Sequence, residues 1–351
     1  MNARPPLVFL PGMSGLGSFW DPVRERLADW ATDAVDWPGL GGTPANPAVH
    51  GYDDLANLVV QRLEGPSVLV GQSMGGYVAA LATLRAPERV SHLVLAVTSA
   101  GLDMRTFGAV DWRPGSRAAH PGAPPWAFAP QPDLADQIAT IRVPTLLLWA
   151  DHDPISPLAV GRRLHELLTN SQLTVYASDD HWVVRDHATD VARRIADLAT
   201  FRLATSGDAE ALVHLERDAN LIALAHVFPP DQFAYPTDDV RRRWLDVLAD
   251  PTVTIAVVDG PERRLDGLVA FDPHRLRHLA VHPDRWGTGL ARRAVQYAVD
   301  RMATPRLWCL VENHRALGLY EHLGWRPTGR VQHAEFPPYP EEIELAWEPA
   351  G

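Results

Sequence analysis

The sequence of 351 residues has one cysteine, Cys309, and no lysine: the 32 residues counted as lysine or arginine are all arginine. A single cysteine excludes an intrachain disulfide and a thiolate-ligated metal site, and it favours a reducing compartment, so we expect a cytoplasmic protein without metal. The absence of lysine excludes Schiff-base chemistry and Walker-type phosphate binding.

Long apolar runs and positive charge are also scarce. No run of about 18 apolar residues occurs, so we expect no membrane span. Residues 1–6 lead directly into an apolar strand, which predicts no signal peptide. The net charge of −11 argues against general nucleic-acid binding. The expected partners are therefore small-molecule substrates, with no nucleic acid and no membrane.

The length predicts two domains, and we place them at residues 1–200 and 201–351. In the first half, strands alternate with helices, which predicts a parallel sheet covered by helices and a ligand site at the carboxyl ends of its strands. The predicted strands are Leu7–Leu10, Ala34–Trp37, Ser67–Val70, His92–Val97, Val143–Trp149 and Gln172–Tyr176. The predicted helices are Ser18–Trp30, Tyr52–Leu63, one from Gly76, Pro157–Leu168 and Ala188–Thr200.

A Gly-x-Ser-x-Gly sequence, residues 71–75, lies between the strand Ser67–Val70 and the helix from Gly76. This order is typical of a nucleophile elbow, in which a sharp turn lifts the serine above the carboxyl end of the sheet. The pattern indicates that Ser73 is a catalytic nucleophile.

A serine hydroxyl needs a base, and the base needs an acid that holds its tautomer. On this fold the chain order is Ser, Asp, His. Asp153 follows one strand and His181 follows the last, so we assign His181 as general base and Asp153 as its orienting acid. The alternatives that remain are Asp151 and Asp103 for the acid, and His187 and His152 for the base.

An oxyanion hole requires backbone N–H groups beside the nucleophile. The residue after the nucleophile, Met74, supplies one donor, and Met13 in the loop after the first strand is expected to supply the other.

Residues 1–200 resemble the α/β-hydrolase superfamily. The resemblance implies a serine hydrolase that acts on an ester, lactone or thioester and needs no cofactor. The region between Thr98 and Arg142 is short and rich in proline, glycine and tryptophan, so we expect a loop lid and a small or flat acyl group. The matching stretches are residues 10–13, 36–41, 71–75, 149–154 and 180–182.

The second half opens with a strand, Phe201–Ala204, directly after the last helix of the first half. A turn at residues 259–261 predicts an antiparallel hairpin. Two helices are expected, Asp208–Ala219 with Ser206 as its cap and Val240–Leu248, and three further strands, Thr252–Val258, Leu265–Phe271 and Leu276–Val281.

A glycine turn at residues 286–291 follows a strand and opens a helix. N–H groups at such a helix start can hold a pyrophosphate, and Arg292 and Arg293 add positive charge. A second stretch, residues 310–325, is a strand end followed by a helix with Asn313 and Tyr320 and a terminating Gly324.

Together these two stretches resemble the GNAT family of acetyl-CoA-dependent N-acetyltransferases. The resemblance implies an α+β domain with a mixed, mostly antiparallel sheet and acetyl-CoA as co-substrate. It further implies that Asn313 holds the coenzyme and that Tyr320 protonates the leaving thiolate. The backbones of Leu279 and Val281 would bind the pantetheine. The family's coenzyme motif falls on Trp286, Gly287, Thr288, Gly289, Leu290 and Ala291, with Trp286 in place of the usual Gln or Arg.

The base that activates the amine is left open. His278 and Asp272 are the nearest titratable candidates, and a water relay is the alternative. The loops at residues 228–236 and 333–340 are expected to shape the acceptor pocket.

The sequence therefore predicts a bifunctional enzyme, a serine hydrolase fused to an N-acetyltransferase of a small amine. One alternative is a hydrolase regulated by a non-catalytic, acetyl-CoA-sensing second domain. A scaffold with both sites idle is the other.

Overall fold

The computed structural model describes residues 4–335 and 337–348. Two compact units divide them, residues 4–199 and 200–348. Phe336, in one predicted acceptor loop, lies outside the described residues. No helix in the described ranges is long and apolar enough to cross a membrane.

The first unit is built on a parallel sheet of six strands in the order β2-β1-β3-β4-β5-β6. The predicted parallel α/β fold is therefore confirmed. Its strands are β1 Leu7–Leu10, β2 Thr32–Ala34, β3 Ser67–Gln72, β4 Val90–Ala96, β5 Thr145–Ala150 and β6 Ser171–Tyr176.

Strands β3 and β5 are buried along their whole length, as expected of a parallel sheet covered by helices, and Trp20, Trp37 and Trp149 are fully buried in this core. The α-helices are α1 Asp21–Arg24, α2 Tyr52–Arg62, α3 Met74–Arg85, α4 Arg113–Ala119, α5 Ala135–Ile138, α6 Leu158–Leu167, α7 Val183–Asp186 and α8 Ala188–Leu198.

Two predicted elements of this unit differ in the structure. The strand expected at Ala34–Trp37 lies at Thr32–Ala34, because the chain then leaves the sheet and the Trp37 indole donates to the Pro11 carbonyl at 2.7 Å. The helix expected over Ser18–Trp30 is broken into short turns, because Pro22 has no N–H to donate to the Ser18 carbonyl.

The stretch between β4 and β5 carries only short helical turns. The longest is α4, with seven residues, and α5 has four. Such a stretch matches the predicted short lid, and it lies at the carboxyl end of β4, the edge of the sheet where the site was expected.

The second unit contains two antiparallel sheets, ordered β10-β9-β8-β7 and β11-β13-β12. The predicted mostly antiparallel α+β fold is thus confirmed. The strands are β7 Arg202–Leu203, β8 Thr254–Asp259, β9 Leu265–Phe271, β10 Leu276–Val281, β11 Arg306–Leu310, β12 Trp325–His333 and β13 Glu341–Trp347.

Of the four helices of this unit, two lie between β7 and β8 in the sequence, one follows β10 and one follows β11. The cap expected at Ser206 is instead Thr205, whose N–H donates to the Asp208 carboxylate at 2.7 Å in a capping box. The helices are α9 Ala209–Ala223, α10 Thr237–Ala249, α11 Leu290–Val299 and α12 His314–His322.

Candidate functional sites

Ser73 occupies the turn between β3 and α3, with φ 52° and ψ −119°. A non-glycine residue rarely adopts this backbone conformation, which is strained. The flanking glycines are required by close approach: a Cβ on Gly71 would lie 2.4 Å from the Gly75 carbonyl oxygen, and one on Gly75 would lie 2.2 Å from that of Leu10. The sequence therefore folds here into the sharp turn that a nucleophile elbow needs.

Thr98, the second residue after the end of β4, stabilises this turn. Its buried hydroxyl donates to the Ser73 carbonyl at 2.6 Å, and the Gly76 N–H donates to the same oxygen at 3.0 Å. A Cβ on Gly76 would lie 2.6 Å from the Thr98 methyl, so glycine is needed there as well. Two hydrogen bonds to its carbonyl thus help to hold the Ser73 backbone in its strained conformation.

Asp153 and His181 meet across the carboxyl ends of β5 and β6, where Asp153 Oδ2 lies 2.6 Å from His181 Nδ1. The Asp153 side chain is fully buried, and its Oδ1 accepts the N–H groups of Ile155 and Ser156 at 2.8 and 3.1 Å. The Gln72 amide also donates to the His181 carbonyl at 3.2 Å. These contacts fix the position of the imidazole through its Nδ1 and its backbone carbonyl.

The alternative residues have other roles in the structure. Asp151 accepts the Ser178 N–H and lies 2.9 Å from His152 Nδ1, and His152 is 78% exposed. Asp103 is bound to Arg105, whose hydrogen bonds lower the pKa of Asp103. His187 stacks on the Tyr176 ring at a centroid distance of 4.4 Å. None of the four forms an acid–base pair that lines the serine cavity.

A cavity of about 580 Å³ opens over Ser73 and His181, and Met13 and Met74 line it too. Met74 is the first residue of α3, and the N–H groups of a first helical turn have no partner within the helix. The two residues expected to supply the oxyanion donors therefore line the same cavity as Ser73. The rest of the wall comes mainly from the lid stretch, including Leu102, Met104, Val110, Trp112 and Gln131.

In the second unit, β10 and β11 belong to different sheets, yet a parallel bridge between Arg275 and Arg306 joins them at one end. The strands therefore diverge from this bridge toward their carboxyl ends. A cavity of about 200 Å³ lies in the gap, lined among others by Leu279, Asn313 and Tyr320. Because β10 is an edge strand of its sheet, the backbone groups that face away from β9 are available to an extended ligand.

The glycine turn follows β10. Gly287 and Gly289 have φ of +77° and +79°, and a Cβ on either would meet no atom within 4 Å. Gly289 caps α11, whose first N–H groups have no partner within the helix. An open loop of this kind fits a phosphate group at a helix start.

Trp286, which stands where the family usually has Gln or Arg, makes two contacts. Its indole N–H donates to the Val281 carbonyl at 2.8 Å, so this carbonyl already has one partner. The Arg315 guanidinium lies over the Trp286 ring at 3.9 Å from its centroid. A positive charge is therefore present at the loop, but Arg315 of α12 supplies it, and the motif position that is usually Gln or Arg does not.

Asn313 and Tyr320 lie at the start and near the end of the same helix. The Asn313 side-chain Oδ1 accepts the Ala316 N–H at 3.1 Å and so caps α12. Tyr320 is buried, and burial, with a smaller contribution from Cys309, raises the pKa of its hydroxyl, which therefore stays protonated. A protonated hydroxyl in this cavity can donate to a thiolate.

The two candidate bases differ in position. His278 lines both the cavity between the strands and a larger one, but burial lowers its pKa to about 3, so it is neutral and a weak base. Asp272 is not among the residues that line either cavity: it binds Arg277 and the N–H groups of His274 and Arg275. The structure therefore does not bring Asp272 into the site.

The larger cavity, of about 700 Å³, adjoins the gap between the strands. Residues of the two predicted acceptor loops, 228–236 and 333–340, line it, among them Phe228, Phe233, His333 and Pro337. Sequence reasoning missed two carboxylates here, Glu216 on α9 and Glu342 on β13. The only signal was the alternation of acidic and apolar residues at 341–345, which is typical of a strand with one polar face.

Comparison with known proteins gives a family-model match for each part of the chain. A family model of the alpha/beta hydrolase fold matches residues 5–124 and 101–188, and the model of the Acetyltransferase (GNAT) family matches residues 185–325.

Individual relatives match the first part. The 1-acylglycerol-3-phosphate O-acyltransferase ABHD5 of Rattus norvegicus is 29% identical over 168 residues, which cover 45% of this chain but only 40% of that protein. A pimeloyl-[acyl-carrier protein] methyl ester esterase of Vibrio parahaemolyticus is 25% identical over 244 residues, covering 56% of this chain and 94% of the esterase. A thermophilic esterase from Thermogutta terrifontis matches in structure with a TM-score of 0.46 and 22% identity, over 56% of this chain and 89% of its own.

Proposed function

We propose that the chain, which belongs to the alpha/beta hydrolase fold family over residues 5–188 and matches the model of the Acetyltransferase (GNAT) family over residues 185–325, is a bifunctional enzyme. The first activity is serine-dependent hydrolysis of an ester, lactone or thioester. The second is transfer of an acetyl group from acetyl-CoA to a small amine.

The observation that carries the hydrolase is the 2.6 Å contact between buried Asp153 and His181 at the cavity of Ser73. His181 Nε2 takes the Ser73 proton while Oγ attacks the acyl carbon, and the Met13 and Met74 N–H groups stabilise the oxyanion. His181 then protonates the leaving alcohol, and it later activates the water that releases the acid. Asp153 keeps the tautomer that this sequence of proton transfers requires.

The esterase named above supports an ester as the substrate class. The lid contributes apolar side chains to the cavity, among them Leu102, Met104 and Trp112, and these suit an acyl group.

The test is p-nitrophenyl acetate hydrolysis together with labelling by a fluorophosphonate probe. We expect Ser73→Ala to abolish both, and Ser91→Ala, a serine of β4 outside the cavity, to leave both unchanged. Labelling at another residue would refute Ser73 as the nucleophile. No labelling and no hydrolysis would refute the hydrolase and favour a scaffold with idle sites.

For the transferase, the residues present fit acetyl-CoA. The loop of residues 286–291 would hold the pyrophosphate, with Arg315 beside it, and the open edge of β10 would pair with the pantetheine. Asn313 would help to hold the coenzyme. Tyr320 would protonate the sulfur as the thiolate leaves.

Calorimetry with acetyl-CoA and thiol release over a panel of amines test this assignment. Tyr320→Phe should retain binding and lose transfer, while Ser73→Ala should retain both. Failure of the wild-type protein to bind acetyl-CoA would remove the transferase and leave the hydrolase standing.

Trp286 favours one alternative, in which the second unit senses acetyl-CoA without transferring its acetyl group. In that case saturating acetyl-CoA changes the rate of ester hydrolysis and no amine is acetylated. A bifunctional enzyme predicts the reverse pattern.

A further inference from the structure

The large cavity of the second unit has one apolar wall. Phe228 and Phe233 come from the loop after α9, Leu224 from the end of that helix region, and Trp308 from β11. An apolar wall of this area favours a ligand with an aromatic or aliphatic body.

Two carboxylates, Glu216 and Glu342, line both this cavity and the smaller one between β10 and β11. They therefore lie where the two cavities adjoin. Glu216 is already neutralised, because Arg243 Nη2 lies 2.6 Å from one of its oxygens and the Trp244 indole donates to the other at 2.8 Å. It has little capacity left for a ligand.

Glu342 is different. Its Oε2 accepts the Gln332 amide at 2.7 Å, and no arginine forms an ion pair with it among residues 4–335 and 337–348. It is half-buried on β13, opposite Leu310 of β11. A half-buried carboxylate without a cation is suited to bind one from a ligand.

The other titratable groups that line the cavity neither pair with Glu342 nor offer a free carboxylate inside the cavity. Arg277 is bound to Asp272 at 2.8 Å, and His278 is neutral because burial lowers its pKa to about 3. Arg275 pairs with Arg306 of β11, whereas Glu342 lies opposite Leu310, four residues further along the same strand. Four strand residues span about 13 Å, so the Arg275 backbone is far from that of Glu342. His333 and Glu335, also on the wall, are exposed.

On the basis of the proposed transferase, we propose that Glu342 binds the ammonium group of the acceptor and takes its proton, and that the acceptor is a primary amine with an aromatic or other apolar body. The body lies against Phe228, Phe233 and Trp308, and the amine points into the gap that would hold the thioester.

The chemical step then balances. The ammonium gives one proton to Glu342, and the free nitrogen attacks the thioester carbon. The N–C bond forms, the C–S bond breaks, and the electron pair goes to sulfur, which Tyr320 protonates. The second proton lost by nitrogen restores Tyr320. The products are the amide, the coenzyme thiol and one proton that Glu342 releases to water.

The acceptor class is tested by the kcat/KM of thiol release with 2-phenylethylamine, putrescine and glycine. We expect 2-phenylethylamine to exceed each of the other two at least about tenfold, because it buries the most apolar surface and, unlike putrescine and glycine, brings no second charged group into the cavity. Equal or higher values for putrescine or glycine would overturn the acceptor class.

The role of Glu342 is tested by Glu342→Gln against Glu341→Gln. Glu341 is the adjacent residue of β13, exposed and directed to the opposite face of the strand. Glu342→Gln should lower kcat/KM about 100-fold, the size of general-base catalysis, with the acetyl-CoA Kd unchanged. Glu341→Gln should stay within about twofold of the wild type.

The outcomes separate this proposal from the function on which it rests. If the wild type acetylates an amine and Glu342→Gln does so equally well, the role of Glu342 is wrong and the transferase stands. If the wild type binds acetyl-CoA but acetylates nothing, or does not bind it, the transferase itself fails.

Discussion

Replacing Thr98 by valine would test whether the strained backbone of Ser73 is held in place by its neighbour. Valine keeps the shape of threonine and removes only the hydroxyl. That hydroxyl donates to the Ser73 carbonyl at 2.6 Å and accepts the Ala100 N–H at 3.1 Å.

The cost follows from these two contacts. The lost hydrogen bond to Ser73 is worth about 1 kcal/mol. The Ala100 N–H, in a fully buried residue, loses its acceptor, and an unpaired buried donor costs about 1–3 kcal/mol. We therefore expect Thr98→Val to lower the free energy of unfolding of the first unit by about 2–4 kcal/mol.

The matched control is Thr83→Val on α3. The Thr83 hydroxyl is equally buried but only donates, at 2.8 Å, to the Ala79 carbonyl one helical turn earlier. No donor depends on it, so the cost should stay below about 1 kcal/mol.

Pulse labelling of Ser73 by a fluorophosphonate at increasing urea concentration reports the folded fraction of this unit alone. Thr98→Val should shift the midpoint clearly further than Thr83→Val, and in water it should lower kcat with little change in KM. Thr98→Ser should restore most of both. Equal midpoints for the two valine variants would refute the reasoning about the Ala100 N–H.

Three further predictions concern the two sites and the pH dependence of stability. Asp153→Asn should lower kcat of ester hydrolysis by about 10³–10⁴-fold, because it stabilises the wrong His181 tautomer, whereas an equal loss in Asp151→Asn would contradict the assignment. Arg315→Gln should weaken acetyl-CoA binding about 10–100-fold in calorimetry and leave acetyl-pantetheine binding unchanged, since only the former has a pyrophosphate; an unchanged Kd would exclude the contact. Burial lowers the pKa of His92 from 6.5 to about 4, so between these values the unfolded chain binds more protons, and stability that is complete above pH 6.5 falls toward pH 4. His92→Asn should flatten this fall in urea midpoints measured across that range, and an identical slope would show that other groups cause it.

The elements that the sequence predicted well are those whose signals are local. The strand, glycine turn and helix around Ser73 are contiguous, and the stereochemistry of the turn requires its glycines. Asp153 and His181 each follow a strand, so the rule that strand ends share one edge was sufficient to place them together.

What the sequence did not reveal depends on contacts between distant segments. Glu216 and Glu342 are 126 positions apart in the sequence and line the same cavities only because α9 and β13 border them. Tertiary packing alone decides that Arg243 pairs with Glu216 and that Gln332 is the partner of Glu342. Likewise, the place of Arg315 over Trp286 joins a loop and a helix, and no periodicity connects them.

The backbone of Ser73 has a wider consequence. A φ of 52° raises the free energy of the folded state by about 1–3 kcal/mol when the residue is serine, whereas glycine adopts it without steric strain. A Ser73→Gly protein should therefore have a higher free energy of unfolding than the wild type and no hydrolase activity. Laboratory evolution that rewards folded protein alone would drift toward glycine at this position, and a library that keeps serine must have been selected for turnover.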